Sequence, residues 1–479
     1  MMASYQQKIR HTLDDPRLQS AIYAASGRLM DHRSHAVAPA ALPDFQELRT
    51  QANLIKKHAI ENLDYYLQQF ESNLTSHGGR VIYARDGSEV VSFLVGLAQD
   101  KQARLVVKSK SMTTEEIELT DRLQHNQLET VETDLGEFIV QLAGERPYHI
   151  VAPALHKTRY DVAELFSQRL GVEREVVPEK QTKIARSVLR RKFLAADIGL
   201  TGANFLVADP GAVVLVENEG NIRLTTTAPR MHVAVAGIEK IIPRAQDLAV
   251  FLKLLGRSAT GQPLSVYTSF LCGPRRPSEI DGPEEFYVVL LDNGRTKLLG
   301  DREKRQSLYC IRCGACLNHC PVYRKIGGHN YPWTYSGPIG AILTPQFQGV
   351  MQAPWLPFAS SLCGACAEVC PVKIDIPKLL LELRSEVKKA EARERQGRLE
   401  RLGFRLWAWV MRHPRIYEML GLTAAAVLAS QESNGCLRQP PAVLNRGPLR
   451  AWFSQRDLPA LPERSFRQAW RTRARVTRD

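Results

Sequence analysis

Cys310-Ile311-Arg312-Cys313-Gly314-Ala315-Cys316-Leu317-Asn318-His319-Cys320-Pro321-Val322 is echoed fifty residues later by Ser360-Ser361-Leu362-Cys363-Gly364-Ala365-Cys366-Ala367-Glu368-Val369-Cys370-Pro371-Val372. Cys-Gly-Ala-Cys and Cys-Pro-Val match at a constant offset, and among the cysteine positions only the first differs, with Ser360 opposite Cys310. Cysteines at i, i+3 and i+6 curl the backbone around one [4Fe–4S] cube, so that their thiolates reach three irons. The glycine lets the chain pass close to the inorganic core, and the fourth cysteine, before proline, turns to the other cluster. Soft thiolates suit iron–sulfur or zinc. Zinc sites, however, pair two C-x2-C knuckles around a tetrahedron, and a repeated run ending in Cys-Pro is not that pattern.

The two-cluster rule gives cluster A the ligands Cys310, Cys313, Cys316 and Cys370, and cluster B the ligands Cys320, Cys363 and Cys366. Cluster B lacks a fourth thiolate, and the vacant position falls at Ser360. Three outcomes stay open: Ser360 ligates through oxygen, the fourth iron takes a non-protein ligand, or the site holds a [3Fe–4S] cluster. Each describes a labile second cluster. Cys272 and Cys436 stand alone and substitute only if the fold brings one of them near. The 42 residues between the runs (321–362), rich in Gly, Pro and aromatics, read as a cover over the clusters.

Working outward, 479 residues with 44% hydrophobic and 24% charged residues exclude a disordered or collagen-like chain and imply several globular domains. Seven of nine cysteines fall within 61 residues, and Met1 to Asp15 has no apolar signal-peptide core. Those features predict a cytoplasmic protein with metal-bound thiolates rather than disulfides. No stretch reaches the ~18–20 apolar residues of a membrane span; Ile416 to Ala429 comes nearest and contains Glu418. The formal charge of +14 is uneven, because residues 384–479 carry 20 Lys and Arg against 9 Asp and Glu.

Apolar residues from Leu48 to Leu67 recur at spacings of three and four, so 1–77 is predicted as an N-terminal helical segment. Asp44 is its expected N-cap, and Ala36 to Pro43 a linker. Residues 78–300 alternate short apolar runs (Val81–Tyr83, Leu105–Val107, His149–Val151, Phe205–Val207, Val213–Val216, Phe286–Leu291) with helices such as Thr114–Leu123 and Tyr160–Leu170. That alternation implies an α/β domain with a mainly parallel sheet. A ferredoxin-type domain over 301–383 and a basic helical region over 384–479 complete the chain, the latter with a long helix Ile376–Arg401 and a flexible tail Arg464–Asp479.

The cysteine domain, Thr201-Gly-Ala-Asn-Phe205 through Val216-Glu-Asn-Glu-Gly-Asn221, Gly237-Ile-Glu-Lys-Ile-Ile-Pro243 and Glu132-Thr-Asp-Leu-Gly-Glu137 together resemble the LutB family, the iron–sulfur subunit of bacterial L-lactate utilization. The resemblance runs over residues 45 to 470. It implies a LUD domain with a NagB/RpiA/CoA-transferase-like α/β fold, a two-cluster ferredoxin-type domain, and work alongside a cysteine-rich redox protein and a second LUD protein to oxidise L-lactate to pyruvate. The chain would then be a non-catalytic or co-catalytic subunit.

In the α/β domain, Asp134, Glu137, Asp209, Glu217, Asn218 and Glu219 lie near predicted strand ends, where open α/β folds place ligands. Asn218 and Gly220, helped by Lys108, Lys110 or Arg223, would shape a phosphate or carboxylate pocket. No G-x-G-x-x-G opens a helix and no P-loop or nucleophile elbow occurs, so nicotinamide, ATP and serine-hydrolase chemistry lack support. The basic C-terminal region suits a partner subunit or the anionic inner membrane surface close to a quinone pool. Nucleic acid is the weaker partner, since no recognition motif accompanies the arginines. Competing readings are electron transfer for another 2-hydroxy acid such as glycolate, a redox-sensing nucleic-acid binder, and a CoA- or sugar-phosphate-handling enzyme with structural clusters.

Overall fold

The structure, a computed structural model, describes residues 2–391 and 395–429, with 432–433, 436–437, 450, 453, 456–459 and 464–476 beyond them. Two compact units result, Met1–Val387 and Lys388–Asp479.

The first unit is built on strands β1 (Arg80–Ala84), β2 (Leu105–Lys108), β3 (Glu129–Glu132), β4 (Ile198–Thr201), β5 (Phe205–Asp209), β6 (Ala212–Glu217), β7 (Met231–Gly237), β8 (Ile241–Arg244), β9 (Tyr267–Leu271) and β10 (Glu285–Leu291). Six of them form one all-parallel sheet in the order β1-β10-β7-β4-β2-β3. Every residue of β7 is buried, as expected of a strand covered on both faces. The helix Gly87–Asp100 packs Val90, Leu94 and Leu97 on one face. Leu63, Leu67, Phe70 and Leu74 of the helix Leu63–Ser76 cover the other. A second, mixed sheet, β8-β5-β6-β9, lies beyond that helix. One continuous core joins this second sheet, the helices Phe45–Glu61 and Ala245–Ala259, and the cysteine segment.

Several expectations are corrected. His149–Val151 is not a strand: the His149 Nδ1 accepts the Val151 and Ala152 N–H groups at 3.0 and 3.2 Å, and those bonds hold the segment as a tight loop. Thr114–Leu123 splits into Met112–Glu116 and Leu119–His125 because Glu118 is left-handed (φ 52°). Asp44 precedes its helix but gives no side-chain cap. Strands β3, β4, β7, β8 and β9 were not anticipated. The long C-terminal helix is described as Ile376–Glu391 and Arg395–Arg412, while residues 392–394, including Arg393, lie outside the described residues, as does Trp452. Instead of a tail, Phe466–Val476 is a helix; Arg471 pairs with Glu418 of the helix Pro414–Ala429 at 2.8 Å, and Arg467 lies over the Tyr417 ring. No described helix is long and apolar enough to cross a membrane.

Candidate functional site

Both cysteine runs fold the same way. Arg312 and Leu362 are left-handed (φ 61° and 55°), as are Gly314 and Gly364 (φ 77° and 84°), and each glycine opens a one-turn helix, Ala315–Asn318 or Ala365–Glu368. Glycine suits that position because a left-handed residue with a side chain costs about 1–2 kcal/mol. Within the first loop the Arg312 N–H donates to Cys310 Sγ at 3.4 Å, and in the second the Leu362 N–H donates to Ser360 Oγ at 3.1 Å. The serine hydroxyl therefore stands in the loop where its counterpart sulfur stands.

Cys310, Cys313, Cys316 and Cys370 line one cavity walled by Ile150, Ile311, Ile339, Val372, Ile374 and Ile376. The Ile374 N–H points at Cys370 Sγ (3.4 Å). Four soft sulfurs facing an apolar cavity, with backbone donors aimed at them, fit an iron–sulfur cube. Burial pushes the Cys313 thiol up to about 12 and the Cys370 thiol up to about 11. Iron must therefore displace protons to bind there. The second group is less enclosed: Cys320 and Cys366 are buried but Cys363 is exposed. Burial, then Cys320 and Cys363 beside it, push the Cys366 thiol up to about 12. Cys272 follows β9, and its thiol responds to burial and Arg276 rather than to other cysteines; Cys436 belongs to the second unit.

Cations surround the four-cysteine cavity. The N-terminal helices place buried Arg33 and Arg49 against the Cys370 turn, donating to Val369 O at 3.0 Å and Cys370 O at 2.9 Å. On the other side Arg312 stacks over Tyr335 and reaches Glu239 at 3.3 Å. Glu239 also accepts from Arg295 Nε (2.5 Å), and Arg295 forks onto Glu116 with two 2.8 Å bonds. Burial opposes the Glu239 carboxylate, yet Arg295 and Arg312 hold its pKa at about 2. This fully buried chain of charges ties the first cysteine loop to the α/β sheet.

Along the sheet's carboxyl edge lies a crevice of about 310 Å³, lined by Lys110, Asp134, Asn204, Glu219 and Lys240 and closed by Ile311, Arg312 and Cys313. It sits off β2 and β4, adjacent strands from which the chain departs in opposite directions, the place where such folds receive ligands. Cys313 thus lines both the crevice and the four-cysteine cavity. Burial first, then Asp134, pushes the Glu219 carboxyl up to about 7.

The sequence-derived polar residues separate. Asp134, Glu217, Asn218 and Glu219 line the crevice with Lys110. Glu217 is occupied in accepting the Ile222 and Arg223 N–H groups, and Asn218 in anchoring Gln262 and Val266. Gly220 (φ 79°) opens the helix Asn221–Thr227. Lys108 is not a pocket residue: it is fully buried between Glu115 and Glu132. Glu137 is buried in a separate acidic cavity, and burial raises its pKa. Asp209 is exposed at the end of β5, and Arg223 lies over Tyr267 outside the crevice. Arg33, Arg49, Glu239, Lys240 and Arg312 had no assigned role. The adjacent charges in the otherwise apolar run Gly237-Ile-Glu-Lys-Ile-Ile-Pro243 were the readable signal for two of them.

Three families match successive parts of the chain: LUD domain over residues 67–291, 4Fe-4S dicluster domain over 306–374, and Lactate utilisation protein B, C-terminal, over 382–475. Lactate utilization protein B of Bacillus licheniformis is 42% identical over 97% of this chain and 95% of its own. Its namesake from Bacillus subtilis is 41% identical over the same shares. A solved duf162 family protein from Deinococcus radiodurans aligns with 48% of this chain and 98% of its own, at 12% identity and TM-score 0.27, too distant to bear on the site. With near-full-length relatives above 40% identity and iron–sulfur and LUD domains in the same order, the chain belongs to the lactate utilization protein B family.

Proposed function

We propose that this chain is the iron–sulfur electron-transfer subunit of a complex that oxidises L-lactate to pyruvate. The observation that carries the reading is the shared wall at Cys313, which puts a ligand-sized crevice directly against a four-thiol cavity. The relatives' name, lactate utilization, supplies the substrate. In this reading Cys310, Cys313, Cys316 and Cys370 hold one [4Fe–4S] cluster. Cys320, Cys363 and Cys366 hold the second, with Ser360 at the open position. Bound there, the clusters supply one-electron acceptors. Arg33, Arg49 and Arg312 offset their negative charge, and the isoleucine wall keeps water from the first.

A two-electron oxidation also needs a primary acceptor, and a cysteine-rich subunit with a second LUD protein fills that place in our reading. The all-parallel sheet supports a NagB/RpiA/CoA-transferase-like arrangement for the LUD domain. Exposed Phe404, Trp407, Trp409 and Met411 on the basic helix Arg395–Arg412 support docking to a subunit or to the inner membrane surface from the cytoplasm. The test is anaerobic purification of the assembled complex followed by addition of L-lactate. Reduction of cluster signals in electron paramagnetic resonance, lost in Cys313→Ser, is expected. An iron-free chain, or clusters that L-lactate leaves oxidised, contradicts the reading.

A further inference from the structure

Lys240 is an anomaly of the crevice. It is only 8% exposed, yet its ammonium makes no hydrogen bond or ion pair with any described residue. Its sequence neighbour Glu239 cannot serve, because that carboxylate is engaged by Arg295 and Arg312. The Lys240 ammonium opens onto the crevice and feels the Glu239 carboxylate and Cys310 only at a distance, so it keeps hydrogen-bonding capacity for a ligand there. Lys110, half-buried on the same crevice, also makes no hydrogen bond or ion pair with any described residue. Two ammonium groups without an ion-pair partner among the described residues line one crevice, which favours an anion in it.

The rest of the crevice restricts which anion. Asp134 already accepts two helix N–H groups through Oδ1, at 2.9 and 3.1 Å, whereas Glu219 accepts one, from Leu135 through Oε2 at 3.3 Å, and is the less engaged acid to meet a ligand hydroxyl. Ile150, Val151 and Ile311 offer an apolar wall for a small aliphatic group. At Gly202, a glycine of the crevice, the Ser111 Oγ fills the space beside the backbone, 2.4 Å from where a Cβ would stand, so this glycine offers a phosphate no open cradle. Arg312 is committed to Glu239 and Tyr335.

We propose that the crevice binds a small 2-hydroxy- or 2-oxocarboxylate, its carboxylate on Lys240 and Lys110 and its C2 oxygen towards Glu219, against the loop that carries Cys313. The choice of 2-hydroxy acids rests on the lactate reading above; the anion site rests on Lys240.

The experiment is calorimetric titration of the anaerobic, cluster-loaded full chain with L-lactate, pyruvate, glycolate and inorganic phosphate. It is repeated for Lys240→Gln and Lys110→Gln, with iron content measured in each. One molecule of lactate or pyruvate per chain is expected, with binding about tenfold weaker in Lys240→Gln and a smaller loss in Lys110→Gln, as for a lost hydrogen bond to a charged group. If Lys240→Gln loses iron, Lys110→Gln alone decides, since it stands off the cysteine cavity. Binding should also change the line shape of the reduced cluster signal. Glycolate binding without lactate or pyruvate would uphold the site and overturn the lactate assignment. The site itself is overturned if the iron-loaded chain binds none of the three acids, if both variants with full iron bind as the wild type does, or if phosphate binds as tightly as pyruvate.

Discussion

The two cysteine loops share one backbone and differ in their surroundings. The first is enclosed: its cysteines face isoleucines, its glycine touches the 149–151 loop, and its arginine is locked into buried charges. The second leaves Cys363 exposed, has a serine at its head, and has no described residue within 4 Å of the space a Cβ on Gly364 would occupy. Because Ser360 keeps the loop's hydrogen bond at 3.1 Å while giving up the sulfur, the turn is specified by its glycine and its internal bonds rather than by a full ligand set. Loop shape and ligand count are separable. We read the enclosed loop as the durable cluster site and the open one as the labile site.

The largest expected effect breaks the first loop's anchorage. Arg295→Ala takes the cation from buried Glu116, leaving it Asn293 and Tyr335, and leaves buried Glu239 paired with Arg312, and should destabilise the first unit by about 3–5 kcal/mol. Chemical denaturation measures it, and a loss under about 1 kcal/mol would show that the network does not hold the loop.

Next comes the glycine pair. Gly314→Ala and Gly364→Ala carry the same left-handed backbone cost, about 1–2 kcal/mol. Only at Gly314 does the new Cβ meet Val151 (3.1 Å) and His149 (3.3 Å). Gly314→Ala should therefore cost about 1–2 kcal/mol more. Equal losses would mean that the enclosure of the first loop is not tight.

Acid should act on the same contact. Burial, then Lys110, keeps His149 neutral and pulls its pKa down to about 3, while its Nε2–H donates to Asn318 Oδ1 at 3.1 Å. A folded pKa below the ordinary histidine value of 6.5 means this contribution is complete above about 6.5 and lost as pH falls towards 3. Between pH 6.5 and 5 the thermal midpoint of the wild type should fall more steeply than that of His149→Gln. Parallel curves would remove His149 from the account.

The smallest effect on stability is Ser360→Cys. It leaves the fold unchanged but should slow air bleaching of the second cluster several-fold, since a fourth thiolate closes the open position. Unchanged bleaching would mean that the open position is not at residue 360.

The cysteine site was legible in the sequence because its ligands lie three or four residues apart and local spacing is copied directly into the loop. The second sheet was legible only in β5 and β6; β8 and β9 were not, because they pair with those strands across up to about 60 residues and nothing local marks them as strands. His149–Val151 misled for a related reason: its apolar content serves packing against the first cysteine loop, a long-range demand that periodicity cannot show. The crevice was half legible. Asp134, Glu217, Asn218 and Glu219 were found at strand ends, whereas Lys240 joins them only through the turn after β7, and Lys108 looked available until the fold buried it.

Graded oxidation of the anaerobically purified chain, followed by Mössbauer and electron paramagnetic resonance spectroscopy, tests the difference between the loops most directly. The expected result is two distinct centres, with one converting first to a three-iron signal while the other persists, and with Cys363→Ser abolishing only the labile centre. A single centre, or two centres lost together in wild type and in Cys363→Ser, would contradict it.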